Sequence, residues 1–432
     1  MTTLPIAVAP LTSHVGGSGL GSNARISQSE SKTMIRPLID ATPQAAQPYP
    51  VVICMLSTAL RLCAIASSAI GLLGCAEHAQ NVLIPLDVDV PHASIVDMLV
   101  MTTRAPSSTN GQLFSGERGD SRSLNEIVVS LPPDASRTIG EVQWPNSHPA
   151  DPARDFVTLK VADMTREQAD PWFRRVVANG HKLLIFVHGF NTTYEEAVYR
   201  FAQVVHDAGT RAAPILFTWP SRGDLLQYAY DKESATGSRD ALEALLARAS
   251  VDPNVSDITV LAHSMGNWVA MEALRQMAIR RGHISPKIRN VILASADLDV
   301  DVFKSEFVAI PSPRPRFTLL VSSDDRALRF SKVIGGDIDR LGEIDPSVEP
   351  YRSKLAAADI TAIDLTRVRS GDEINHSKFA ESPEIVRLIG TRLIEGQKIE
   401  SADLSVGSKV GQMMSQAAVG VGSTVDNLGA AR

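Results

Sequence analysis

The chain has 432 residues, 44% hydrophobic and 21% charged, enough to bury one large core. Its formal net charge of −6 is spread without a long basic run, which argues against a nucleic-acid surface or a polybasic membrane patch. The cysteines, Cys54, Cys63 and Cys75, all precede the main body, so no disulfide braces it, and without CxxC pairs or HExxH the common zinc sites have no support.

Residues 1–49 are rich in Ser, Thr, Pro and Gly without a sustained period, a composition that predicts disorder. Residues 51–73 are nearly uncharged, interrupted only by Arg61, and are long enough to suggest a membrane span. A reading from Met55 fits better: MLSTALR supplies a positive n-region, LCAIASSAIGLL an apolar core, and LLGC a small-residue cleavage box. This resembles a bacterial lipoprotein signal peptide. The resemblance implies that residues 1–54 are an untranslated or disordered extension and 55–75 the signal. Cys75 then becomes the lipidated first residue of a protein anchored in the cell envelope, in the outer membrane or periplasm. An uncleaved anchor and a chance apolar run are the alternatives.

Residues 76–95 read as a polar linker and 96–396 as one domain, followed by a weakly ordered tail over 397–432. The domain opens with two strand-like runs, Asp97–Thr103 and Leu124–Leu131, which read as an antiparallel start to a sheet. Beyond Trp144 the pattern changes to apolar strands alternating with helices. The strands are Leu183–Val187, Ile215–Thr218, Ile258–Leu261, Val291–Ala294, Phe317–Val321 and Ile360–Leu365. Helical spacing marks Thr193–Ala208, Ser234–Ala249, Gly266–Arg280, Ala327–Val333 and a last helix near Glu384–Glu395. The expected fold is α/β: a mostly parallel central sheet with helices on both faces and an antiparallel N-terminal strand region.

The strand DITVLA runs into His263-Ser264-Met265-Gly266 and straight into a helix, the setting of a nucleophile elbow. Such a turn lifts a serine hydroxyl out of the sheet at the positive end of a helix and needs small residues at −2 and +2, here Ala262 and Gly266. In LLIFVHGFN, Gly189 permits close backbone approach, so the Phe190 N–H can join the Met265 N–H as an oxyanion hole; the alternative is that His188-Gly189 only makes a turn. His188, Gly189, Asn191, Trp219 and His263 are candidates to line the pocket, Trp219 with a structural role equally open. Of ten histidines only His376 lies beyond residue 283, where a triad running Ser, acid, His requires its base. For the acid, Asp325 is preferred to Asp324, with Asp297 third. Asp297-x-Asp299-x-Asp301 is not a calcium loop, because Val302 stands where that loop needs glycine.

Several blocks resemble an α/β-hydrolase group known as DUF900, described as bacterial esterase/lipase-like proteins. They are VMTTRAP, LLIFVHGFNTTYEEAVYRFAQ, the stretch from Pro214 through Trp219-Pro220-Ser221-Arg222-Gly223 to Leu246, LAHSMGNWV, ASADLDVDVF, VSSDDRALRFS and the terminal NHS. The resemblance spans roughly residues 96–395 and implies the α/β-hydrolase fold. In the group the acid falls in S-x-x-D-x-A-L, which maps to Ser322, Asp325, Ala327 and Leu328 and supports Asp325. Glycine often precedes the group's histidine, where this chain has Asn375. The expected chemistry is cleavage of a small ester by Ser264, His376 and Asp325, with no metal or organic cofactor. A thioesterase, amidase or acyltransferase would use the same residues, and a non-catalytic, surface-anchored binding protein is the rival of a different class. No long helical insertion follows Ser264, so a large lid is not expected.

Overall fold

The computed structural model describes residues 79–88, 91–177 and 181–394. The expected signal segment, Cys75 and the tail from residue 397 lie outside the described residues.

Among the described residues nine strands form one sheet: β1 (Ser94–Pro106), β2 (Phe114–Leu131), β3 (Val157–Met164), β4 (Lys182–Val187), β5 (Ala213–Thr218), β6 (Asp257–His263), β7 (Ile288–Ala294), β8 (Arg316–Val321) and β9 (Thr361–Asp364). Their order is β3-β2-β1-β5-β4-β6-β7-β8-β9. The first three pair antiparallel, β1 then joins β5 in parallel, and every later pairing is parallel. The expected α/β-hydrolase architecture, with its antiparallel N-terminal region, is therefore present. The parallel strands all end on one edge of the sheet, where loops can gather side chains for chemistry.

The apolar runs work as two-sided strands. In β4, Leu183, Ile185 and Val187 enter one core, while Leu184 and Phe186 enter the other. The first core is closed by helices Arg239–Val251 and Gly266–Arg281 through Leu242, Leu246, Met271 and Leu274. The second is closed by helix Tyr194–Asp207 through Val198, Phe201 and Val205. That helix starts with a reciprocal capping box in which Thr193 accepts from the Glu196 N–H and the Glu196 side chain accepts from the Thr193 N–H.

The structure differs from the sequence reading at several points. The single helix expected over Ser234–Ala249 is two, Tyr228–Gly237 and Arg239–Val251. Ser238 separates them, its hydroxyl donating back to the Ser234 carbonyl at 2.8 Å. Strand β3 and the helix Arg166–Val177 were not anticipated. Part of the expected linker packs into the domain: Val82 and Leu83 are buried, and the Val82 carbonyl accepts from Tyr199 at 2.7 Å. The last helix is Pro383–Leu388, continuing into a π-turn over Ile389–Ile394.

Candidate active site

Ser264 stands between β6 and helix Gly266–Arg281 with φ +53°, a left-handed conformation that costs a non-glycine residue about 1–3 kcal/mol. The surrounding backbone holds it there. Its N–H donates to the Ala294 carbonyl at 3.0 Å, and its carbonyl accepts from the N–H groups of Asn267 (3.1 Å) and Asp297 (3.2 Å). The need for glycine at +2 is steric, since a Cβ on Gly266 would fall on the His188 and Val187 carbonyl oxygens. A Cβ on Gly189 would lie 2.8 Å from the Cβ of Ser264, so the loop after β4 rests directly against the serine. The Phe190 and Met265 N–H groups donate to nothing among the described residues.

His376 lies in the loop before the short helix Lys378–Glu381. Its Nδ1–H donates to Asp325 Oδ2 at 2.8 Å, and Asp325 is fully buried at the end of the turn after β8. The other oxygen, Oδ1, caps helix Arg326–Ile334 by accepting from the Leu328 N–H at 3.0 Å, which locks the carboxylate's orientation. Asp324 is turned elsewhere: both its oxygens bind Lys378 Nζ, at 2.7 and 2.9 Å. That ammonium is buried and also donates to the Leu365 and Thr366 carbonyls, so it fastens the His376 loop to the strand ends. Asp372 accepts from the His376 and Ser377 N–H groups at 2.7 and 2.9 Å. Asn375 takes φ +60°, the conformation glycine would adopt most easily.

The loop reaches the elbow through two contacts on the His376 carbonyl, from His263 Nε2 at 3.2 Å and from Ser295 Oγ at 3.0 Å. The rings of His263 and His376 are 4.8 Å apart. Among the described residues no hydrogen bond joins the Ser264 hydroxyl to the His376 ring; such bonds often tighten only when substrate arrives. Burial disfavours a charged His376, but the charge and hydrogen bond of Asp325, with Asp297 and Asp372 behind it, outweigh that and leave its pKa above the ordinary value. His263 is driven the other way, first by burial and then by His376, and stays neutral.

His188 and Trp219, both candidates for the pocket, are buried. Their rings stack at 5.0 Å, and Trp219 Nε1–H donates to the His188 carbonyl at 2.9 Å. Burial, then the nearby Arg104 cation, lowers the His188 pKa to about 3. Arg104, from the end of β1, is itself buried. Its guanidinium donates to Thr218 Oγ1 (2.8 Å), Ser221 O (2.7 Å) and Thr192 O (2.7 Å). It thereby ties the loop after β4 to the loop after β5. Asp231 closes the same junction, accepting from the Ser221 hydroxyl at 2.5 Å and the Arg222 N–H at 3.0 Å. Asn191, at φ +54°, leaves its Oδ1 buried without a partner among the described residues.

A family model described as an alpha/beta hydrolase of unknown function (DUF900) matches residues 165–392, just over half of the chain. The chain belongs to this family. No curated protein matches it. Among solved structures it is similar to lipase B of Aspergillus fumigatus, with 14% identity over 50% of this chain and 54% of that one, at a TM-score of 0.32. It is also similar to a structure from a study of two fungal esterases from Rhizomucor miehei. There the identity is 14% over 71% of this chain and 83% of the other, at a TM-score of 0.32.

In this DUF900 chain the remaining acidic candidates have other partners. Asp297 accepts from Ser331 Oγ at 2.5 Å and Tyr228 OH at 2.9 Å, while Asp299 caps helix Val300–Ala309 by accepting from the Asp301 and Val302 N–H groups. Arg222 pairs with Glu117 at 3.0 Å and Arg239 with Glu272 at 3.8 Å, ordinary surface ion pairs. Sequence reasoning points to Asp231 only as part of a stretch typical of the group, and does not reach Arg104 or Lys378. The available signal was a cation within MTTR, next to the apolar residues of β1, and a lysine two positions after the sole late histidine.

Proposed function

We propose that this protein is a serine hydrolase that cleaves carboxylic esters through an acyl-enzyme. Ser264 Oγ attacks the ester carbonyl as His376 Nε2 takes its proton, and the Phe190 and Met265 N–H groups meet the charge that builds on the carbonyl oxygen. The intermediate collapses, the alcohol leaves with the proton from His376, and Ser264 holds the acyl group. Water, deprotonated by His376, then attacks the acyl-enzyme to release the acid and regenerate the hydroxyl. Asp325 keeps the imidazole in the tautomer with Nε2 free and stabilises the imidazolium.

The observation supporting this reading is the 2.8 Å bond from His376 Nδ1 to a buried Asp325, in a loop fastened through its own carbonyl to the residue preceding Ser264. The deciding experiment is labelling with a fluorophosphonate probe, followed by a screen of short and long acyl esters beside thioesters and amides. Wild type should label and Ser264→Ala should not. Equal labelling of both would remove Ser264 as the nucleophile, and an unlabelled but folded wild type would favour a non-catalytic role.

A further inference from the structure

The geometry beneath the loop after β4 points to a tautomer lock. The Trp219 N–H donates to His188 Nε2 at 3.1 Å, and a backbone N–H can only donate, so that nitrogen must be bare. Two further donors face it: the Thr218 hydroxyl at 3.1 Å and Arg104 Nη2 at 3.4 Å. Arg104 Nε–H already occupies a lone pair of Thr218 Oγ1 at 2.8 Å, which leaves the threonine proton free to turn toward the ring. The His188 proton is therefore on Nδ1, and Nδ1–H donates to the Gly189 carbonyl at 2.8 Å.

That bond orients a peptide. Among the described residues the cis bonds all precede proline, so Gly189–Phe190 is trans, with its C=O and N–H pointing in opposite directions. Holding the Gly189 carbonyl toward the His188 ring turns the Phe190 N–H away from it, in a loop whose glycine lies against Ser264. We propose that Arg104, Thr218 and the Trp219 N–H fix His188 as its Nδ1–H tautomer, and that this tautomer aims the Phe190 N–H at the developing oxyanion. His188 is thus a positioning residue, and Arg104 acts through it. The assignment rests on the serine-hydrolase reading above.

The test combines ring spectroscopy with kinetics on p-nitrophenyl butyrate. In protein labelled with 15N-histidine, the His188 ring should show a protonated Nδ1 and an unprotonated Nε2. His188→Ala should lose roughly 10²–10³ in kcat with KM little changed, the loss expected for one misplaced oxyanion donor. His188→Asn, whose amide N–H can reach the Gly189 carbonyl from near the Nδ1 position, should recover most of it. Arg104→Lys, which keeps the charge but not the fork of donors, should lower kcat and blur the tautomer signal. An Nε2–H tautomer in the wild type, a wild-type kcat in His188→Ala, or no difference between Asn and Ala would each overturn the proposal. Ser264→Ala separates the two failures. If it abolishes activity while His188→Ala retains kcat, only the positioning role falls; if it leaves activity intact, the hydrolase reading falls and takes this proposal with it.

Discussion

Replacing Gly189 by alanine probes the proposed oxyanion hole with a single added methyl group. The new Cβ would sit 2.8 Å from Ser264 Cβ, 3.1 Å from His263 Nδ1 and 3.3 Å from the His263 carbonyl. Carbon atoms in ordinary contact lie about 3.5–4.0 Å apart, so the overlap with the serine is roughly 1 Å. Gly189 does not have a positive φ, so contact is the main penalty. The serine cannot retreat, because its N–H and carbonyl are tied to Ala294, Asn267 and Asp297. The loop must move instead, carrying the Phe190 N–H with it. A displacement near 1 Å at a reacting centre costs about 10²-fold, and overpacking of this kind costs about 1–3 kcal/mol of stability. Steady-state ester hydrolysis should therefore show kcat reduced by about 10² at nearly constant KM, with a cooperative but lower thermal transition. A folded Gly189→Ala protein turning over at the wild-type rate would mean that the loop contributes no donor and is merely a turn.

Two other perturbations follow from the charges. Asp325→Asn should lower kcat by roughly 10³–10⁴ by releasing the tautomer of His376. Burial alone would pull the His376 pKa down, and Asp325 is the main group that raises it. The acid limb of kcat/KM should accordingly lie above the ordinary histidine value of about 6.5 in the wild type and move to lower pH in the variant; coincident limbs would contradict the assignment. Glu306, on helix Val300–Ala309, is buried without a hydrogen-bond donor and close to Glu272; burial first, then that neighbour, raises its pKa from 4.5 to about 9. A raised folded pKa contributes stability that is full below the unfolded value and is lost as pH rises through the folded one. Wild-type stability should fall by up to roughly 1.4 kcal/mol per pH unit across that window, while Glu306→Gln flattens the slope. Urea titrations from pH 5 to 8 would show it, and equal slopes would mean that Glu306 ionises freely.

Much of this architecture is written in local pattern. Apolar runs such as LLIFV announce strands buried on both faces, Thr193 with Glu196 announces a helix start, and Ala262-x-Ser264-x-Gly266 between strand and helix announces the elbow. Other parts depend on neighbours far along the chain. Strand β3 alternates unevenly, with Lys160 and Asp163 among its apolar residues, because it is the sheet's edge. Helix Arg166–Val177 contains Pro171, normally a sign against a helix, yet its Trp172 is buried and donates to Asp97 at 2.8 Å. The adjacent carboxylates of Asp324 and Asp325 are distinguished in space by Lys378, more than 50 positions away in the chain. His188 and Trp219 follow strand ends, a position that fits pocket lining and, for Trp219, a structural role equally well. Packing turned both rings inward, which position along the chain does not reveal.

The fastening of the His376 loop has a consequence for synthesis on the ribosome. Ser264, the loop after β4 and Asp325 are all made before residue 326, whereas His376 and Lys378 come later in the chain, with Phe379 and Ile385 in the same core as the helix Tyr194–Asp207. Because chains fold from the N-terminus as they emerge, the proposed mechanism implies that a nascent protein would carry Ser264 and Asp325 before His376, and would stay silent until the later loop docked.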